Sequence, residues 1–374
     1  MNNFPIVDVG TFVDIVETQF NEGNYHPIFG LGKGGIGKSQ GIRELASKLG
    51  IGYIDIRLLL YTETDLKGIP YPDSTNTYTI WLQNNILPNE QRDGKWGILV
   101  LDEITSCNKS LRTAAYQLLN ERKLGEYSLP DEWLIVCLGN GEEDGGDFQG
   151  IEANFANRCS IYQVYCSVDS WKEWAALNGV NGLVLAYLTW NPSDLHTFNP
   201  DADEEILFAS PRSWNAVSEI LNKRGFDVND NITQLRISAN VGVNVASRFK
   251  AFCEFKSTAL NPESIINGTW SGKCQSLQAQ FITVQNVIKL LKESLNYDIG
   301  SRGHVSNETI LKFANGIKWF LSLGSLEHQV AAIKDLVNVN PRIISYMMVS
   351  NDSGFQEMCP EIIKFASEHA DVFR

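Results

Sequence analysis

The chain has 374 residues, 43% of them hydrophobic and 20% charged, ordinary for a folded globular protein and long enough for two or three domains. The formal net charge of −13 opposes non-specific nucleic-acid binding, although it leaves room for a local basic groove. No apolar run reaches membrane-spanning length, and the opening MNNFPIVDVG is read as carrying no secretory signal.

The seven cysteines are scattered without a C-x-x-C pair and read as free thiols of a reducing compartment, so the expected location is the cytoplasm. The five histidines are isolated from one another and offer no zinc-ligand spacing; His26 reads as structural.

Residues 3–25 carry Phe12, Val13, Val16 and Phe20 at helical spacing, which predicts one amphipathic helix. A first strand is expected over 27–31. It runs into IFGLGKGGIGKSQ, residues 28–40, whose G-x-x-x-x-G-K-S spacing is the phosphate-binding loop pattern. Gly32, Lys33, Gly34, Gly35, Ile36 and Gly37 form the loop; Lys38, Ser39 and Gln40 open a helix that should stop at Gly50. The chemistry requires these residue types. Backbone N–H groups must wrap phosphate oxygens, glycine lets the chain curl closely, and the helix N-terminus favours the anion. Lys38 brings a full charge to the outer phosphates, and the Ser39 hydroxyl is a magnesium ligand.

IGYIDIRLLL, 51–60, predicts a second strand buried on both faces, and STNTYTIWLQ, 74–83, reads either as a hairpin or as a plain surface excursion. GILVLDE, 97–103, predicts a central parallel strand ending in two carboxylates, where ligands bind in open α/β sheets. Asp102 is placed to hold magnesium, mostly through water, and Glu103 to polarise an attacking water. Residues 108–122 read as a helix, KLGEYSLP as a tight hairpin, and 132–140 as a third buried strand ending in Asn140, whose amide is placed to orient the same water or contact the γ-phosphate. The acidic loop GEEDGGDFQG lacks calcium-site spacing and reads as solvated.

Alternation of strands and helices to about residue 165 implies a parallel sheet covered on both sides. Beyond it, SVDSWKEWAALNG and SPRSWNAVSEILNKRG read as helices, with Ser210 or Ser213 as caps and Trp171, Trp174 and Trp214 as core; NPDADEE, 199–205, reads as a charged linker. VQNVIKLLKESL, ILKFANGIKWFLSL and PEIIKFASEHADVFR predict further helices. The expected division is an α/β nucleotide-binding domain over 1–165, a helical lid over 166–257, and a helical C-terminal docking region over 258–374.

Over roughly residues 25–225 these motifs together resemble the AAA+ ATPases, and within them the MoxR-like branch. Gly32 to Ser39 is similar to Walker A, Leu99 to Glu103 to Walker B, and Asn140 to sensor 1. ANFANRC, 153–159, resembles the branch's "ALLNRF" segment and implies Arg158 as arginine finger. ASPRSWNAV, 209–217, resembles its "SPRA" helix start and implies Arg212 as sensor 2. DLKG and YQLLNERKL also resemble the branch, as does an extra hairpin between them. The resemblance implies a P-loop NTPase three-layer sandwich with a parallel sheet, an α-helical lid, and ATP with Mg2+ at the subunit interfaces of a hexameric ring. It also implies a partner bearing a von Willebrand factor A domain, and ATP-driven remodelling of enzyme complexes. Arg122, at the end of its helix, is a rival for the finger role, and Tyr78 and Trp81 are candidate pore or partner contacts.

Three other functional classes compete. A DNA-acting motor or helicase loader fits the same ATPase core but lacks a Lys/Arg-rich helix. A GTPase would select its base with N-K-x-D, and Asn108-Lys109-Ser110-Leu111 lacks the aspartate. A nucleotide-gated scaffold would hydrolyse too slowly to do work.

Overall fold

The structure is a computed structural model describing residues 4–141, 156–199, 207–223 and 227–339, with Lys364, Phe365 and Glu368. The chain divides into two compact units. One holds the described residues up to Ser167 together with Phe198 and Asn199; the other holds Val168–Thr197 and the described residues from Leu207 on.

The first unit begins with β1 (Ile6–Asp8), α1 (Val9–Asn21), β2 (Ile28–Leu31), α2 (Lys38–Leu49) and β3 (Gly52–Arg57). Then come α3 (Glu63–Lys67), β4 (Ile69–Pro72), β5 (Thr79–Leu82), α4 (Glu90–Asp93), β6 (Gly97–Asp102) and α5 (Lys109–Glu121). It closes with β7 (Lys123–Leu124), β8 (Tyr127–Ser128), β9 (Trp133–Gly139) and β10 (Ser160–Tyr165). Six strands form one sheet in the order β1-β10-β2-β9-β6-β3, every pairing parallel. Parallel strands need crossover helices, and those helices bury both faces. Phe12 and Val16 of α1 and Ile42 and Leu45 of α2 cover one face, over Ile98, Val100, Leu134 and Val136. Leu111, Ala115 and Leu118 of α5 cover the other, over Leu99, Leu101, Ile135 and Cys137. This is the three-layer α/β sandwich that the strand–helix alternation predicts.

Two sequence expectations are corrected. The helix expected over 3–25 is preceded by a strand, β1, which pairs with β10 at the sheet edge. Three residues are too few to show a period of two, and Asp8, accepting from the Thr11 N–H, caps the helix only at Val9. The second strand was expected to be buried on both faces over 51–60. It ends at Arg57 and forms the opposite edge, with Ile56 its only fully buried side chain; Leu59 and Leu60, beyond it, are exposed. An apolar run does not reveal whether a strand has one neighbour or two.

Two antiparallel hairpins leave the sheet, one of β4 and β5 and one of β7 and β8. The first takes in part of the 74–83 stretch and presents Ile69, Tyr71, Tyr78, Ile80, Trp81 and Leu82 outward. The expected loop GEEDGGDFQG, apart from Gly141, and the linker NPDADEE, apart from Asn199, lie outside the described residues.

The second unit is helical: α6 (Val168–Leu177), α7 (Gly182–Trp190), α8 (Pro211–Asn222), α9 (Asn231–Val241) and α10 (Val243–Glu254). It continues with α11 (Pro262–Ile266), α12 (Leu277–Arg302), α13 (Asn307–Leu321) and α14 (Leu326–Val339). Ser210 caps α8 by accepting from Ser213 N, Trp171 and Trp214 are buried, and Trp174 is partly so. PEIIKFASEHADVFR falls outside the described residues save for Lys364, Phe365 and Glu368. No described helix is long and apolar enough to cross a membrane.

Asp73 organises the tip of the β4–β5 hairpin. It accepts from the backbone N–H groups of Thr75, Thr77 and Tyr78, and the Thr75 hydroxyl bond leads the set that holds its carboxyl down to about 2. A depressed folded pKa means the turn is fully stabilised above about pH 4, the free-carboxylate value, and loses that support as pH falls through about 2. Asp73→Ala is therefore expected to speed hydrogen exchange of the Thr77 and Tyr78 amides at neutral pH while leaving strands β6 and β9 protected.

Candidate nucleotide site

The loop after β2 is held by close backbone approach. Gly32 N–H donates to Gly139 O at 3.0 Å, and a Cβ on Gly32 would sit 2.0 Å from Val164 O, so no other residue fits between the neighbouring strands. Gly37 has φ +104° and starts α2 without a side-chain cap. The first-turn amides of α2 thus face the loop with no side-chain acceptor from the N-cap. Gly35 also takes positive φ, and Ile36 is buried, anchoring the curl in the core beneath α1 and α2.

Lys38 is buried, and its ammonium donates to Gly32 O at 2.5 Å and Lys33 O at 2.8 Å. The ammonium thus lies against the carbonyls of its own loop. Lys33 points elsewhere, with its ammonium 5.9 Å from the Phe198 ring centre. Gln40 donates to Glu44 along α2.

Asp102 ends β6 and joins the loop to the strand. Its Oδ2 accepts from Ser39 Oγ at 2.6 Å, and its Oδ1 from Glu103 N–H at 2.8 Å. Glu103 takes φ +59°, an uncommon conformation for a non-glycine residue. Its carboxylate is partly exposed and makes no hydrogen bond among the described residues. Asn140 follows β9, and its Oδ1 lies 4.0 Å from where a Cβ on Gly34 would stand, so its amide faces the loop. Lys38, Ser39, Asp102, Glu103 and Asn140 therefore gather at the C-terminal ends of β2, β6 and β9.

Arg158 precedes β10, is partly exposed, and makes no hydrogen bond or ion pair among the described residues. Arg122 is committed instead: its Nη2 donates to the carbonyls of Pro130, Asp131 and Trp133, and burial pulls its pKa down. Arg212 is exposed in the first turn of α8, in the helical unit.

Sequence reasoning missed two features. Thr105 is buried and clasps Asn140 from both sides, accepting from its N–H and donating to its C=O, each at 3.1 Å. Asp55 stands on β3 beside the Asp102 strand, where burial first and then the Asp102 charge raise its carboxyl above the usual range. A charged residue inside a strand taken as doubly buried was the available signal for Asp55; nothing local marks Thr105.

The donor set fits magnesium. Ser39 Oγ and the Asp102 carboxylate are hard oxygens already in contact, and magnesium keeps several waters instead of demanding an all-protein cage. No cluster of three His, Cys, Asp or Glu side chains that could hold a metal occurs among the described residues.

No family model matches the chain, and no curated protein matches it. Among solved structures, it is similar to one from Cytophaga hutchinsonii at 12% identity and TM-score 0.34, covering 88% of this chain and 82% of that one. It is similar to the Thermotoga maritima RuvB Holliday junction branch migration motor at 11% identity and TM-score 0.30, over 78% of this chain and 74% of that one. Hsp104 is similar at 14% identity and TM-score 0.36, over 69% of this chain and 45% of that one. Likenesses of this size decide neither family nor activity, and the fold class rests on the strand order and loop geometry above.

If the Gly32 contact with Val164 seats the loop, Gly32→Ala should destabilise the first unit by about 1–3 kcal/mol, the usual cost of overpacking. Urea unfolding followed at the buried Trp133 checks this, and an unchanged midpoint would show that the neighbouring strands yield freely.

Proposed function

We propose that the chain is a magnesium-dependent AAA+ ATPase of the MoxR-like kind that remodels a partner protein complex in the cytoplasm. The observation carrying this reading is the 2.6 Å bond from Ser39 to Asp102. It joins residues 63 positions apart in the two motifs that a triphosphate site needs on one sheet edge.

In this reading ATP lies along the loop from Gly32 to Gln40. Lys38 leaves the Gly32 and Lys33 carbonyls to neutralise the outer phosphate oxygens. Magnesium, held through Ser39 Oγ and Asp102, supplies charge neutralisation on the transferring phosphoryl group. Glu103 accepts a proton from the attacking water, and the Asn140 amide, fixed by Thr105, orients that water. Arg158, which makes no hydrogen bond or ion pair among the described residues of its own chain, reaches the nucleotide of the neighbouring subunit in a hexameric ring. Residues 166–257 act as the lid, carrying Arg212 to the nucleotide as sensor 2. Residues 258–374 form a docking region, and the partner carries a von Willebrand factor A domain. Tyr78 and Trp81, both exposed on the β4–β5 hairpin, are proposed as contacts to that partner or to the pore.

Two experiments test this. Glu103→Gln should bind ATP with normal affinity, hydrolyse it at least about a hundredfold more slowly, as loss of a general base implies, and hold assembled rings. Near-normal turnover would remove Glu103 from catalysis. Arg158→Ala should bind ATP yet lose turnover by about 10³-fold or more, the usual worth of such a finger. Mixing it with Lys38→Ala subunits should restore hydrolysis at mixed interfaces, and no recovery at any ratio would exclude action in trans.

A further inference from the structure

Other buried carboxylates among the described residues are well supplied with donors. Asp194 accepts from Arg248 at 2.6 and 2.9 Å, from Asn191 at 2.8 Å, and from the Tyr187 hydroxyl. Asp335 accepts from Lys172 and Gln285, both at 2.7 Å. Asp55 differs. Its Oδ2 has only a 3.3 Å contact from the Tyr53 hydroxyl and a 3.6 Å contact from Arg43, whose side chain is 56% exposed. Its Oδ1 is fully buried and has no hydrogen-bond partner among the described residues.

Leaving a buried carboxylate oxygen unpaired is costly, and a long ion pair to a half-exposed arginine offsets little of that cost. Stability alone therefore does not account for an aspartate here, and its position suggests what does. Asp55 is opposite Val100 in register, and Asp102 is two residues further along β6, so both aspartates project from the α2 face. Strands about 4.8 Å apart, with two residues rising about 6.6 Å, put their Cα atoms about 8 Å apart. Tyr53, on the same face, reaches Ser39 O at 3.4 Å, linking Asp55 to the residue that meets Asp102. Both Asp102 oxygens already accept hydrogen bonds, whereas the Asp55 carboxylate holds only two long contacts.

We infer that Asp55 is a positioning residue of the nucleotide site whose carboxylate, 12% exposed, accepts a hydrogen bond from magnesium-bound water behind Ser39 and Asp102. Magnesium retains water ligands, each an O–H donor needing an acceptor. The inference rests on the ATP–magnesium reading above and adds a residue that neither nucleotide motif contains.

The test uses the full chain carrying Asp55→Asn and measures ATP affinity by calorimetry across a magnesium titration and in EDTA, with apo-protein melting alongside. The magnesium concentration for half-maximal ATP affinity should rise about tenfold, the order expected for losing a charged hydrogen-bond acceptor. ATP affinity in EDTA should stay unchanged, and apo melting should hold or rise because the buried charge is gone. An unchanged magnesium requirement overturns the inference, as does lowered apo melting with unaltered magnesium dependence, the signature of a structural partner for Arg43. Asp55→Ser carries the same readout should Asp55→Asn not fold. Absence of ATP binding by the wild-type chain at every magnesium level would instead overturn the nucleotide reading itself, and this inference with it.

Discussion

The site depends on one contact, the hydrogen bond from Ser39 Oγ to Asp102 Oδ2. It joins the first turn of α2 to the end of β6, although β9 lies between β2 and β6 in the sheet. Only a parallel sheet brings this about, because it places every strand's C-terminal end on the same edge. The Gly32 bond to Gly139 and the burial of Ile36 fix the loop from below, where the hydroxyl and carboxylate meet.

Around that contact the edge is electrostatically unfinished. Asp102 and Glu103 bring two carboxylates to the end of β6, with Asp55 two residues back on the neighbouring strand, while Lys38 donates to loop carbonyls. Glu103 also holds a left-handed backbone conformation, which an ordinary strand end would avoid. Carboxylates gathered in this way are a condition that a bound cation would relieve.

The helical unit is stabilised differently. Tyr187, Trp214, Phe249 and Phe252 pack ring against ring around α7, α8 and α10, with centroid separations of 5.2 to 5.5 Å. Its buried charges are paired, as in the Lys172–Asp335 bridge between α6 and α14 and the Arg248–Asp194 bridge beneath Tyr187. Pairing of this kind fixes geometry and leaves no charge to recruit a ligand. Among the described residues these buried carboxylates are matched by donors, whereas Asp55 Oδ1 is not.

The sequence alone determined the loop, its helix, buried strands expected over 97–103 and 132–140 and found over 97–102 and 133–139, and the carboxylates at the first strand's end. Those features are written locally, in glycine spacing and in continuous apolar runs. Helix starts were legible too, since Ser210 accepts from the Ser213 N–H and the fixed φ of Pro211 suits the first helical position. Tertiary structure alone decided that 52–57 is an edge strand, that three residues before α1 form a strand, and that Thr105 grips Asn140. It alone set Asp55 beside Asp102. The physical reason is common to all four. Each depends on which strand lies next to which, and strand order follows from crossover packing over the whole sheet, which no run of neighbouring residues encodes.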